Sequence, residues 1–316
     1  MPSVILSGSL RPGPDYPGRC DPAGGRRAAG PIRCPGMDLV PLIRDPALVR
    51  RHLLAPLAYR QGRGEYKRDY IAAAMHAERR QGFLDEAVAA LRPIPAMRLK
   101  GIAYAGALYA DPAERPMTDI DLLVPTAQFA AAVQALERLG YRDDGKRNQR
   151  SPVNHAVTLR RQESAIDLHR SMVQVGRMAI DLPAVWRQAI PAPGDTLRPC
   201  PAHEYLIHVA HLARHEFSAA LIAYEDAARL AAAAGDVRDL ARRWHLGRAE
   251  ALVRRYVRSF ERLEIITPYP FPGTRELVLG DPVPRPIQLI RKLAIHDSPA
   301  DLIGFAWGGL RTRLGV

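Results

Sequence analysis

The spacing of polar and apolar positions changes several times along the chain. From residue 38 to about 91 the apolar positions Ile71, Met75, Phe83, Ala87 and Leu91 recur at helical intervals, which predicts helices up to the prolines at 93 and 95. "AMRLK" (96–100) predicts a short strand, and "GIAYAGALYA" (101–110) a helix spanning those ten residues. A loop, "DPAERPMT", leads into "DIDLLV" (119–124), a predicted strand. Alternation along a strand puts Asp119 and Asp121 on one face and Ile120 and Leu122 on the other. Thr126 is the expected N-cap of the next helix, "AQFAAAVQALERL", and Gly140 stands where a C-terminal cap belongs. "HAVTLRRQESAIDLH" (155–169) predicts a hairpin turning at 161–164, and its second strand repeats the pattern, with Asp167 and His169 on one face and Ile166 and Leu168 on the other. After Pro201 the spacing is helical through "PAHEYLIHVAHLARHEF", "SAALIAYEDAARLAAAAG" and an Arg-rich stretch at 237–263. A Pro-rich loop (267–286) separates these from two last helices near 287–296 and 299–313.

The predicted fold is therefore α+β: a small mixed sheet within residues 93–200, N-terminal helices over 37–92, and a helical region over 201–316. Residues 1–36 are dominated by Gly, Pro and Arg without periodicity, so they are expected to be disordered, with Met37 as the expected translation start.

Composition narrows the function. The formal charge of +12 over 316 residues is carried almost wholly by Arg, since Lys occurs only at 67, 100, 146 and 292. Arg excess beside abundant Ala and Pro reads as a coding bias as readily as a polyanion partner. The scattered charge, with few aromatics between, disfavours sequence-general nucleic-acid binding. Three cysteines without a CxxC give neither a disulfide framework nor a zinc knuckle and point to a reducing cytoplasm. No apolar run approaches the ~18–20 residues of a membrane span, and "SVILSGSL" lacks the preceding basic residues of a secretory signal.

Two aspartates one residue apart on a strand face repel unless a cation or solvent meets them. If the two acidic strands are neighbours, Asp119, Asp121 and Asp167 converge on the solvent-facing side of the sheet, an arrangement that holds hard divalent cations such as Mg²⁺ or Mn²⁺. Asp-x-Asp also occurs as a merely solvated strand edge. Just upstream, Lys100 and Arg115 offer charge to a phosphate, and Gly101 a close backbone approach at a helix start. Arg115 reads equally as a surface partner of nearby acids, and His169 as a half-buried strand histidine. Glu204, His208, His211 and His215 form a second stripe, at intervals of four, three and four on one helix, that offers zinc ligands. Positions seven apart on a helix diverge by about 10 Å, which works against closing a tetrahedral site and favours a packed helix.

"LKGIAYAGALYADPAERPMTDIDLLV" (99–124), followed by "IDLH" (166–169), resembles a bacterial nucleotidyltransferase-like family of the DNA polymerase β superfold. The family pattern is matched at Lys100, Gly101, Tyr109, Arg115, Pro116, Met117, Asp119, Asp121, Asp167 and His169, with His155 and Asp226 at two further family positions, over about residues 40–310. The superfold's usual Gly-Ser turn is Lys-Gly here, and Arg170 stands where the family often has an aromatic residue. The resemblance implies that Asp119 and Asp121 bind the metals, and that Asp167 completes the site and helps deprotonate a hydroxyl. It also places Lys100, Gly101 and Arg115 at the triphosphate. The implied reaction is nucleotidyl transfer from an NTP, expected to be ATP, to a hydroxyl acceptor on a small molecule, peptide or protein. It suggests a setting in peptide natural-product biosynthesis. Phosphoryl transfer, and a non-catalytic antitoxin-like or regulatory role beside a protein partner, are the alternatives, with a zinc hydrolase on the histidine stripe third.

Overall fold

The computed structural model describes residues 39, 43, 45–144, 154–173, 178–262, 264–279 and 284–314. The expectations for residues 1–36 and for Met37 lie outside these.

Three helices precede the sheet: α1 (Pro46–Arg51), α2 (Ala55–Arg60) and α3 (Lys67–Leu91). The Asp45 carboxylate accepts from the Ala47 amide at 2.8 Å and caps α1, with Pro46 pre-set at its first turn. The fully buried side chains of α3 lie in its second half, at Leu84, Ala87, Val88 and Leu91, while Tyr70 of the first half stacks near Tyr59 of α2. Ile71 and Met75, whose helical spacing α3 bears out, are 47% and 52% exposed, since the sheet core meets α3 at its later turns.

Seven strands follow: β1 (Met97–Leu99), β2 (Ile120–Leu123), β3 (Arg142–Asp143), β4 (Ala156–Arg161), β5 (Ser164–His169), β6 (Ile190–Ala192) and β7 (Thr196–Arg198). They form one mixed sheet in the order β3-β4-β5-β2-β1-β7-β6. The predicted hairpin is β4–β5, closed by Gln162 and Glu163, with Gln162 in the left-handed region at φ 52°. The sequence pattern did not signal β6 and β7, which are three residues each.

Helix α4 (Lys100–Tyr104) ends after five residues instead of ten. The segment then turns, and Leu108 and Tyr109 enter the core. Thr126 does not cap α5 (Phe129–Arg138); Gln128 stands at the N-cap position without a side-chain capping bond, and the Thr126 hydroxyl donates to the Arg170 carbonyl at 2.9 Å. Gly140 lies just past the end of α5 at φ 90°, the conformation that suits glycine there.

Helix α6 (Leu182–Arg187) leads into β6 and β7, and after β7 the described chain is helical: α7 (Pro201–Arg214), α8 (Leu221–Ala234), α9 (Arg238–Arg243), α10 (Gly247–Glu261), α11 (Thr274–Leu279), α12 (Arg285–Ala294) and α13 (Pro299–Leu314). Helix α11 interrupts the stretch read above as a Pro-rich loop, and no helix is long and apolar enough to cross a membrane among the described residues.

The sheet separates two cores. On one face Ile120, Leu122, Val157, Leu159, Ile166 and Leu168 pack under α3 and α5. On the other, Met97, Leu99 and Leu123 join the larger core built with α7, α8 and α10. Each fully buried aliphatic side chain contributes about 1.5–3 kcal/mol, so the second face too is held under cover. That cover overturns the expectation that the acidic face looks to solvent: Asp121 is 3% exposed, because its neighbour on the same face, Leu123, draws the helical half onto the sheet.

Candidate functional site

Strands β2 and β5 run parallel and adjacent, pairing Asp121 with Asp167 and Leu123 with His169. A side-chain period of two then puts Asp121, Asp167 and His169 on one face. Their ligand atoms all lie within 4.8 Å of one another, and they are the group found among the described residues that could hold a metal ion. Asp119 precedes β2, half-buried and close enough for the charges on Asp121 and Asp167 to act on it. Burial first, then those two carboxylates, push the Asp119 carboxyl above its usual range.

Asp121 is the best-partnered acid. Its Oδ1 accepts from the Lys100 ammonium and lies 2.9 Å from His169 Nε2. Burial pushes its carboxyl up, but Lys100 and His169 more than reverse this and hold it well below the carboxylate range. In neutral His169 the proton then sits on Nε2, leaving Nδ1 a buried lone pair without a hydrogen-bond partner among the described residues. Asp167 is half-buried and makes no hydrogen bond or ion pair among the described residues. Two carboxylates, a third beside them and one buried ring nitrogen form a donor set that fits a hard divalent cation.

Of the proposed phosphate residues, Lys100 meets the acids directly, while Arg115 and Gly101 are engaged elsewhere. Arg115 Nε donates to both Asp226 oxygens at 2.9 and 2.8 Å, and Nη2 lies 2.7 Å from Oδ2. Asp226, on α8, is fully buried and also accepts from the Tyr109 hydroxyl at 2.7 Å. Burial lowers the Arg115 pKa, and Asp226 outweighs it, so the guanidinium stays charged. A Cβ on Gly101 would meet Met117 Cβ at 3.0 Å, so the missing side chain makes room for Met117.

Helix α7 roofs the acidic face and contributes groups that the sequence reading did not single out. Arg214 Nη1 donates to His155 Nε2 at 2.5 Å, and His155 lies 5.6 Å, ring to ring, from His169. The Arg214 guanidinium also feels the charges of Asp167 and Asp121, so a second cation, besides Lys100, acts on the acids. Only its place at the end of a helix already carrying the histidine stripe could have hinted at this. Tyr109 likewise gave no signal as the second donor to Asp226.

The histidine stripe does not converge. Glu204 pairs with Arg198. The His208 Nε2–H donates to the Ala223 carbonyl at 2.7 Å, while its Nδ1 accepts from the Tyr104 hydroxyl at 3.4 Å. His211 and His215 stack edge to face with ring centroids 4.7 Å apart. The stripe is thus divided among separate partners, which removes the basis for a zinc hydrolase there.

Burial lowers the pKa of His52, His203, His208 and His211, bringing His203 to about 4. These rings stay neutral in the fold and take up protons on unfolding. Their contribution to stability is therefore fully present above about pH 6.5 and is lost as the pH falls from there towards 4. The lowered Asp121 carboxyl acts in the same direction at still lower pH. Melting temperatures recorded between about pH 7.5 and 4.5 are expected to fall steadily below 6.5; a constant melting temperature down to pH 5 would contradict the burial of neutral rings.

Comparison with curated proteins and with solved structures gave no match. A family model described as "Uncharacterised nucleotidyltransferase" matches residues 47–261, a span that includes α3, the entire sheet, and helices α7 to α10. With the acidic pair of β2 and β5 inside that span, the chain belongs to the uncharacterised nucleotidyltransferase family.

Proposed function

We propose that the protein transfers a nucleotidyl group from a nucleoside triphosphate to a hydroxyl acceptor with the help of Mg²⁺ or Mn²⁺. The observation that supports this most strongly is the parallel, in-register pairing of β2 with β5, which sets Asp121 beside Asp167 with His169 one pleat further on. Asp119, Asp121 and Asp167 would hold the metal, with His169 orienting Asp121 through its 2.9 Å contact. When bound, a divalent cation supplies charge neutralisation at the phosphates and lowers the pKa of the attacking hydroxyl.

In the proposed step the acceptor oxygen forms a bond to the α-phosphorus, and the bond from that phosphorus to the bridging oxygen breaks. The electron pair leaves with pyrophosphate. Asp167, half-buried and with no side-chain hydrogen bond or ion pair among the described residues, takes the acceptor's proton. Lys100 and Arg214 face the leaving phosphates, and Arg115 acts through Asp226 by fixing the segment that leads into Asp119.

ATP labelled at the α or the γ phosphate, incubated with protein, Mg²⁺ and a fractionated extract of small molecules and peptides, tests this reading. The expected result is α label in an acceptor, abolished by EDTA. Label arriving from the γ position would instead make the reaction phosphoryl transfer. Absence of any labelled product, together with no metal-dependent NTP binding, would overturn both.

A further inference from the structure

We propose that Lys100 is a resident counter-ion of the acidic site, which a metal–triphosphate complex has to displace, so that cation and nucleotide are taken up together. The inference rests on the metal-dependent reading above and concerns how that site is regulated.

The delivery of Lys100 is built into the sheet. Leu99, the last residue of β1, pairs with Asp121 across the β1–β2 ladder, and Lys100 follows directly. Its ammonium donates to Asp121 Oδ1, the oxygen that His169 Nε2 also approaches at 2.9 Å. The Lys100 side chain is 18% exposed and that of Asp121 is 4% exposed, so solvent and salt screen the pair little.

The backbone at Lys100 is in the left-handed region at φ 51°. An L residue with a long side chain holds that conformation only when its surroundings over-determine it, and such outliers concentrate at sites of function. Glycine or asparagine would adopt it with less strain. The ammonium is what lysine adds at this position.

The charge of Lys100 also reaches Asp119, His208 and His211, so the ammonium sits amid the acids and under α7. Two cations on one carboxylate oxygen repel each other. A divalent ion arriving alone must therefore drive off the ammonium with no new partner for it, and binds weakly. A triphosphate arriving with the ion supplies that partner, and the flexible lysine stem lets Nζ move from carboxylate to phosphate. The two ligands thereby acquire a positive coupling that is reciprocal by linkage.

Mn²⁺ titrations of wild type, Lys100→Met and Lys100→Asn, with and without α,β-methylene ATP, provide the test. Wild type is expected to bind Mn²⁺ weakly alone and about tenfold more tightly with the analogue. Both variants are expected to bind Mn²⁺ alone about tenfold more tightly than wild type and to lose most of the gain from the analogue. Asparagine suits the left-handed backbone and keeps a folded variant available if methionine does not. If both variants bind Mn²⁺ no more tightly than wild type while Asp167→Asn abolishes binding, the counter-ion role is wrong and the metal site stands. Absence of Mn²⁺ binding from every form, with or without the analogue, overturns the metal-dependent reading and this inference with it.

Discussion

Asp167→Asn is expected to abolish label transfer from α-labelled ATP while leaving the melting temperature nearly unchanged, whereas Asp121→Asn is expected to lose both activity and stability. The contrast follows from burial and partners. Asp167 is half-buried with no hydrogen bond or ion pair among the described residues, so its replacement leaves nothing stranded. Asp121 is 3% exposed and holds both Lys100 and His169. Removing its charge leaves an ammonium in a largely buried position without its counter-ion, which costs about 3–5 kcal/mol when one partner of a buried pair is lost. The lower end applies, because the Lys100 side chain retains 18% exposure and can turn towards solvent. At about 2–4 °C per kcal/mol for a chain of this class, the melting temperature should fall by roughly 6–12 °C. Loss of either acid removes several kcal/mol of charge stabilisation from the proposed step, or about three orders of magnitude in rate. Label transfer and a thermal melt on the same preparations check both halves. Retention of more than about a tenth of the rate in Asp167→Asn would remove that residue from the proposed chemistry.

The second large effect is expected at Asp226, remote in sequence from the acids of the sheet. Asp226→Ala leaves the Arg115 guanidinium buried with no carboxylate, and the Tyr109 hydroxyl without its acceptor. The expected loss is again about 3–5 kcal/mol, here towards the upper end, since Asp226 is fully buried and the Arg115 side chain only 11% exposed. Tyr109→Phe should cost less, about 1.5–3 kcal/mol, as one hydrogen bond to a charged group is lost. A double-mutant cycle with Arg115→Met and Asp226→Leu isolates the pair: the double variant should be more stable than either single one, because no charge is then stranded. Additive losses would show that the two side chains are not energetically coupled.

How much of this was legible in the sequence depended on the range of the interaction. The β4–β5 hairpin and the alternation of Asp167 and His169 with Ile166 and Leu168 are local, so strand periodicity was enough to read them. The adjacency of β2 and β5 was posed only as a condition, because residues 121 and 167 are joined by a parallel pairing that no turn between them dictates. Grouping Asp119, Asp121 and Asp167 rested on strand alternation and that condition; the structure clusters Asp121 and Asp167 with His169, and Asp119 stands just before β2. What the sequence did not reveal was the roof. The histidine stripe of α7 was read as a packed face turned to the sheet domain, but nothing local set that face over Asp121, which was expected at a solvated surface. Arg115 was open between two roles for the same reason: its partner lies 111 residues away on α8, and ion pairs at that separation leave no local trace.

The cover of α7 and α8 over the sheet has a practical consequence for protein engineering. Tyr104 contacts His208, Tyr109 and Arg115 contact Asp226, and Arg229 donates to the Leu108 carbonyl at 2.9 Å while lying over the Tyr109 ring. The stretch from 100 to 115 is thus shaped to its own helices. A chimera that grafts residues after 200 from another family member onto this sheet must carry that stretch as well, since the graft junction runs through space between the acids and their roof and not along the chain at residue 200.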